Sequence, residues 1–156
     1  MTRSVFFRSP IVALMALFFL SACENVDVDD EDVPFAVTNF IEQYFNGRGF
    51  SGVEKINDTD YCFTIDNGPT VTVAVVNDRL YNPVVELLRY TGNGETMPPE
   101  MAWDFFPEKL YNYVDGLECI DLIYDYEFDK AGDSITVRLL DTTVIYHIQS
   151  GKIEEA

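Results

Sequence analysis

Residues 61–78 read YCFTIDNGPTVTVAVVND, and the way they alternate decides the fold. Tyr61, Phe63 and Ile65 take every second position, so an extended chain projects all three from one face and Cys62 and Thr64 from the other. Asn67 and Gly68 then supply residue types that tolerate the left-handed backbone of a tight turn. Beyond that turn, residues 70–76 are β-branched at every position except Ala74, which suits a buried strand. Asn77 and Asp78 turn the chain again, and Leu80 and Tyr81 begin a fourth strand. Antiparallel sheet is therefore the centre of the architecture.

Upstream, residues 53–56 read as a strand and 57–60 as its turn. Before them, Val37, Phe40, Ile41, Tyr44 and Phe45 recur at the spacing of one helix face, after Val33 and with Pro34 in a tolerated first-turn position. Asn46 and Gly47 stop this helix, and Gly49 and Gly52 mark the loop that follows. Downstream, Asn82 and Pro83 resemble a cap and first turn, so a short helix is expected through Tyr90, broken by Gly92, Asn93 and Gly94. Met97 and Pro98 open a further helical stretch carrying Ala102, Phe105, Phe106, Leu110 and Tyr113. Pro107 splits it at Phe106, because the residue before a proline resists helical angles. From Ile120 the period becomes two, predicting a long strand with Ile120, Leu122, Tyr124, Tyr126 and Phe128 on one face. Residues 130–133 turn it. Ile135, Val137 and Leu139, then Val144, Tyr146 and Ile148, form the next inward rows, and Gly151 ends the meander.

The two halves superimpose in sequence. Pro34 and Pro98, Ile41 and Phe105, Gly52 and Gly116, Glu54 and Glu118, and Ile56 and Ile120 are each 64 apart. Tyr61 and Ile135, Phe63 and Val137, Ile65 and Leu139, and Asn67 and Asp141 are 74 apart, so the second copy carries a longer first hairpin. The expected fold is α+β, a tandem repeat of a helix followed by an antiparallel β-meander, with helices on one face of the sheet. Residues 33–81 form the first repeat, 82–96 a connector and 97–156 the second. Val33, Pro34, Ala36, Val37, Phe40, Ile41, Tyr44 and Phe45, with Val53, Glu54, Tyr61, Phe63, Ile65, Asn67 and Gly68, resemble the PepSY-like, β-lactamase-inhibitor-like domains of Bacteroidetes lipoproteins. That resemblance implies helices packed on antiparallel sheet and a role in binding or inhibiting other proteins. It carries over no catalytic residue.

Residues 11–20 are an unbroken apolar run, preceded by Arg3 and Arg8 and followed by Ser21, Ala22 and Cys23. A basic start, a short apolar middle and a small-residue exit form a secretory signal, residues 1–22. Ten residues span only about 15 Å as a helix, too short for a permanent membrane crossing. Leu20, Ser21, Ala22 and Cys23 resemble the lipobox of bacterial lipoproteins, which implies cleavage before Cys23 and its acylation. Residues 23–32 carry Glu24, Asp27, Asp29, Asp30, Glu31 and Asp32, an acidic, lipid-anchored tether kept extended by its own repulsion. The resulting address is the outer membrane, on its periplasmic face or at the cell surface. Asp27, Asp29 and Glu31 have the alternate spacing of a calcium loop, but Asp32 stands where the glycine should be.

The chain carries 27 acidic residues against ten Lys and Arg, a formal charge of −17. Loss of Arg3 and Arg8 with the signal makes the mature chain more acidic still. Such a charge repels nucleic acid and anionic lipid, and any electrostatically steered partner is basic or a cation. No cofactor and no metal site are expected. Catalysis is hard to assemble: the single histidine, His147, falls on the face opposite Val144 and Tyr146, away from any nucleophile pairing or ligand spacing. Cys62 and Cys119 both alternate outward and are a candidate disulfide in an oxidising compartment. Asp121, Asp125, Glu127 and Asp129 alternate with the inward row of the long strand, and form either a solvated edge or a candidate docking face for a basic partner or a divalent cation. The expected function is a non-enzymatic, lipid-anchored envelope protein that binds, and can inhibit, an extracytoplasmic protein. The alternatives are a small exported hydrolase using carboxylates on glycan or cell-wall material, and a calcium-binding surface protein.

Overall fold

The computed structural model describes residues 26–27 and 33–156. Within them one antiparallel sheet of nine strands runs in strict chain order. The strands are β1 (Val26–Asp27), β2 (Glu54–Lys55), β3 (Asp60–Thr64), β4 (Thr70–Asn77), β5 (Pro83–Thr91), β6 (Asp125–Asp129), β7 (Ser134–Arg138), β8 (Thr143–His147) and β9 (Lys152–Glu155). Three short helices accompany them: α1 (Phe35–Phe45), α2 (Pro99–Phe105) and α3 (Glu108–Gly116). Strand alternation follows the apolar pattern closely. Tyr61 and Phe63 on β3, Val71 and Val73 on β4, Ile135 and Val137 on β7, and Val144 and Tyr146 on β8 are all buried. They share one hydrophobic cluster with Val37, Phe40, Ile41 and Phe45 of α1, Met101 and Ala102 of α2, and Leu110 and Val114 of α3.

This architecture corrects the expected α+β tandem repeat of helix and meander. A single continuous sheet, with more residues in strands than in helices, makes the fold mainly β. The decisive segment is β5, which the Asn82 and Pro83 signal assigned to a helix. Asp78 accepts hydrogen bonds at Oδ1 from the backbone N–H of Leu80 (2.7 Å) and of Asn82 (2.9 Å), closing a hairpin where a helix cap was expected. Pro83 then lies opposite Asn77 as the first residue of the new strand, a position where its missing N–H is tolerated. A bulge between Thr72 and Val73 shifts the register, so Leu87 and Tyr90 are both buried although three apart. That helix-like spacing hid the strand.

The long strand expected from Ile120 is also corrected. Residues 120–124 are not strand, and β6 begins only at Asp125. Glu118 has a positive φ of 57° after α3, and the chain then folds through a turn in which the Leu122 N–H bonds Cys119 O at 3.0 Å. Ile123, not Ile120 or Leu122, is the fully buried residue. After Gly151, with φ of 63°, the chain makes a further strand that its Lys, Ile, Glu, Glu composition concealed. Pro107 does split the second helical stretch: Phe106 is extended, with ψ of 139°, between α2 and α3. Of the acidic tether, Val26 and Asp27 pair with Lys55 and Glu54, while residues 28–32 lie outside the described residues.

The two halves of the sheet meet over three residue pairs of β5 and β6, Arg89 with Glu127, Tyr90 with Tyr126 and Thr91 with Asp125. Gly92 extends this seam, donating to Tyr124 O at 2.8 Å and to Asp125 Oδ1 at 3.2 Å. A Cβ on Gly92 would collide with the backbone carbonyl oxygens of both Glu95 and Tyr124. Arg48, just after α1, forms a bidentate pair with Glu95, at 2.6 and 3.0 Å, and its Nη2 also donates to Asp66 O. This pair ties the end of α1 to the loop beyond the seam and holds the Glu95 carboxyl below its usual range.

Gly92→Ala is therefore expected to destabilise the protein by about 1–3 kcal/mol or more in urea unfolding, because backbone atoms cannot step aside as a side chain can. Because the Glu95 pKa is lowered on folding, its contribution is complete above the unfolded value of about 4.3 and fades as pH falls through the folded value. Glu95→Gln should flatten the acid limb of the urea midpoint plotted against pH, while leaving its shape at neutral pH unchanged.

Candidate functional site

The second helical stretch buries Met101, Ala102, Phe106 and Leu110 against the sheet, with Phe106 stacked on Tyr126 at 5.4 Å between ring centroids. A helix that commits those positions inward must turn Trp103 outward, one residue beyond Ala102. Trp103 is 69% exposed, the single tryptophan of the chain and the most expensive apolar side chain to leave in water. Tyr111 of α3 meets it edge-on, with ring centroids 5.0 Å apart and planes at 89°. The split at Pro107 produces this pairing, because it lets α3 fold back so that its first turns reach the outer side of α2.

An open groove of about 490 Å³ lies on one side of the Trp103–Tyr111 pair, bounded by Gln43 and Tyr44 of α1 and by Pro98, Pro99, Glu100 and Asp104. A second, of about 360 Å³, lies on the other side, against Phe106, Glu108 and Asn112. The α1 wall is braced. The Tyr44 hydroxyl donates to Asp104 Oδ2 at 2.5 Å, and Gln43 Nε2 donates to the Tyr44 oxygen at 2.9 Å and to Asp104 Oδ2 at 3.3 Å. Partial burial, then the Asp104 hydrogen bond and charge, push the Tyr44 hydroxyl well above its ordinary value, so it remains a donor at any physiological pH. The rim carries Glu100, Asp104 and Glu108, and no Lys or Arg lines either groove. Aromatic faces beside carboxylates make a surface that favours a cation with an apolar stem.

The residues expected from sequence are dispersed. Cys23 lies outside the described residues, as do Asp29 and Glu31 of the candidate calcium loop; of that loop only the Asp27 backbone is described, in β1. Cys62 and Cys119 are both free thiols. Cys62 alternates with buried Tyr61 and Phe63 and so projects from the far face of β3, whereas Cys119 packs against the hydrophobic cluster after α3, its thiol on Leu117 O. The sheet stands between them.

The acidic row is dissolved in a different way. Asp121 sits in the turn before β6, apart from the others. Asp125 pairs with Arg138 and Glu127 with Arg89, each across adjacent strands, and Asp129 caps its own hairpin through the N–H groups of Ala131 and Gly132. Charges spent on neighbours leave little field for a partner. Lys130 with Glu86 at 2.7 Å, and Lys152 with Glu154, extend the same neutralised sheet surface. His147 stands there too, 3.7 Å from Glu154 and opposite buried Tyr146.

Among the described residues, no three His, Cys, Asp or Glu side chains gather closely enough to hold a metal ion. The carboxylates whose titration is displaced, Asp78, Glu95 and Glu154, are all held below their ordinary range by hydrogen bonds. That is the wrong direction for a general acid. Sequence reasoning missed Trp103, Tyr111, Glu100 and Asp104. The available signal was that Trp103 breaks the apolar period set by Ala102, Phe105 and Phe106.

No family model matches the chain, and no curated protein matches it. Its fold is similar to the solved structure of a presumed periplasmic protein of the DUF2874 family from Bacteroides vulgatus, with a TM-score of 0.62 and 14% identity over 86% of this chain and 98% of that one. At that identity the likeness establishes a shared fold. No helix among the described residues is long and apolar enough to cross a membrane.

Trp103→Ala should change unfolding free energy by about 0.5 kcal/mol or less, as expected of an exposed side chain outside the core. Phe106→Ala, three residues away and buried on Tyr126, should cost about 3–5 kcal/mol in the same denaturant titration.

Proposed function

We propose that the chain is a non-enzymatic, lipid-anchored envelope protein that binds a basic segment of another exported protein through the Trp103 groove, blocking whatever that segment does while it is held. The observation that carries this reading is the solvated Trp103–Tyr111 pair between two grooves whose rim carries Glu100, Asp104 and Glu108 without a compensating base. A Lys or Arg side chain laid on the indole gains a cation–π contact and a nearby carboxylate together, each worth about 0.5–2 kcal/mol depending on desolvation. The bracing of Asp104 by Tyr44 and Gln43 keeps that carboxylate in place before the partner arrives, which lowers the ordering cost of binding. Envelope location draws support from the signal-like leader, from Cys23 and from the presumed periplasmic character of the DUF2874 protein that shares the fold. The PepSY-like resemblance, read over residues 33–153 in two copies, is consistent with a protein-binding role and supplies no further detail.

Affinity capture from outer-membrane extracts with the wild-type protein, Trp103→Ala and Asp104→Asn tests the reading. A partner held by wild type should be lost at least tenfold with Trp103→Ala, since aromatic anchors cost about 2 kcal/mol or more on truncation. Asp104→Asn should weaken capture mainly at low salt. Undiminished recovery by both variants would remove the groove from the interface.

A further inference from the structure

We propose that the end of the molecule formed by the start of α1 and the tip of the β4–β5 hairpin is a membrane-contacting surface, which inserts Phe35, Leu80 and Tyr81 into the interfacial zone of the bilayer that holds the anchor. The inference rests on the lipid anchor of the proposed function but not on the Trp103 groove, whose α1 wall, Gln43 and Tyr44, lies about 13 Å along the helix from Phe35.

Four large apolar side chains gather at this end in full or partial contact with water: Phe35 (78% exposed), Leu80 (79%), Tyr81 (85%) and Val84 (40%). The topology makes it protrude. β3 pairs with β4 only as far as Ala74, and β6 pairs with β5 only from Arg89 onward, so the remainder of the β4–β5 hairpin stands out as a two-stranded ribbon. The tip is built rather than loose. Asp78 holds Leu80 and Asn82 through its carboxylate, its N–H bonds Asn82 O at 2.9 Å, and Tyr81 is kept in the left-handed region at φ of 62°. A non-glycine residue adopts that conformation only when its surroundings impose it. Here the consequence is that two apolar side chains are presented outward from a rigid loop.

The start of α1 shares this end, because Ala36 and Asn39 line one small cleft with Pro83, Val84 and Val85. The turn before β3 also comes toward this end, since Thr59 O accepts from the Val75 N–H at 2.8 Å, while Ile56 itself lies back along the sheet beside Thr72 and Leu88. The chain that follows the anchor enters the sheet from the same end of the strands: Val26 pairs with Lys55, beside the turn before β3, and three residues, a reach of about 11 Å at most, separate it in sequence from Cys23. The chain is described again from Val33, two residues before Phe35. Lipid on Cys23 would therefore hold this end, and not the Trp103 face, against the bilayer.

The chemistry suits the interfacial zone. Phe35 and Leu80 are apolar throughout, while Tyr81 carries a hydroxyl that can remain at headgroup depth. Arg79 and Lys55 supply positive charge here, against Asp58, Asp60 and Asp78. Asp60 is bonded to Asn57 and Thr59, as Asp78 is to its own loop. The contact is thus apolar, and salt should leave it in place.

The test uses the full acylated chain in vesicles of phosphatidylcholine and phosphatidylethanolamine containing phospholipids brominated on their acyl chains. Trp103→Phe removes the native tryptophan and Tyr81→Trp puts a reporter at the tip, where 85% exposure leaves room for it. The reporter's emission should shift to the blue and lose about half its intensity relative to unbrominated vesicles, at low and high salt alike. The wild-type protein, reporting from Trp103, should be almost unquenched. A vesicle-bound protein whose tip reporter stays unquenched overturns the inference and leaves the anchor intact. A tip that becomes shielded only when another exported protein is added overturns it in favour of protein docking. Failure of the protein to stay with the vesicles overturns the anchor and the inference together, while leaving capture by Trp103 unaffected.

Discussion

The three-pair seam between β5 and β6 is the constraint on which the rest of the molecule depends. Without it the chain would be two small sheets, each with an exposed edge and too little apolar surface to fold stably alone. Joined there, alternate residues from six strands, β3 to β8, and from all three helices share one cluster. The seam is short, and so its ends are secured by other means. Gly92 approaches Tyr124 O at a distance that only a missing Cβ allows, and the buried Tyr90 hydroxyl donates to Thr96 O at 2.9 Å. Burial first, and then the Glu95 charge, push that hydroxyl far above its ordinary range, which keeps it a donor. The Arg48–Glu95 pair then fastens α1 across the same junction.

Much of the sheet was legible from period alone. Tyr61, Phe63 and Ile65, or Ile135, Val137 and Leu139, could face only one way once the chain was extended, and all six are buried. Pro107 likewise announced its break. What period could not supply was the role of residues 82–91. Asn and Pro open helices and also close hairpins, and the choice was made by Asp78, whose carboxylate bonds lie outside the segment being read. The bulge at Thr72 and Val73 then placed two buried residues three apart. A strand so disguised turned two expected helix-and-meander units into one meander.

The candidate site was illegible for a related reason. Acids in alternation on a strand look like a docking row, but their cross-strand neighbours decide whether any charge is left over. Arg138 and Arg89 stand opposite Asp125 and Glu127 and cancel them. At Glu100, Asp104 and Glu108 the sequence pattern is unremarkable, yet the fold turns Lys109 to Gly151 O, lines the grooves with no Lys or Arg and leaves an indole between the acids. The surplus of acid over base is therefore felt locally at the Trp103 grooves, which no Lys or Arg lines. On the sheet, Asp125, Glu127, Glu86 and Glu154 each meet a base, as the acids beside Trp103 do not.

Trp103 is the chain's single tryptophan, so its own fluorescence reports on the groove without a label. The most direct measurement is a titration of the wild-type protein with a short Lys- and Arg-rich peptide and, separately, with an Asp- and Glu-rich peptide of equal length. The account predicts a saturable change in Trp103 emission with the basic peptide, weakened by salt, and none with the acidic one. Emission indifferent to both peptides, or equally responsive to both, would contradict it.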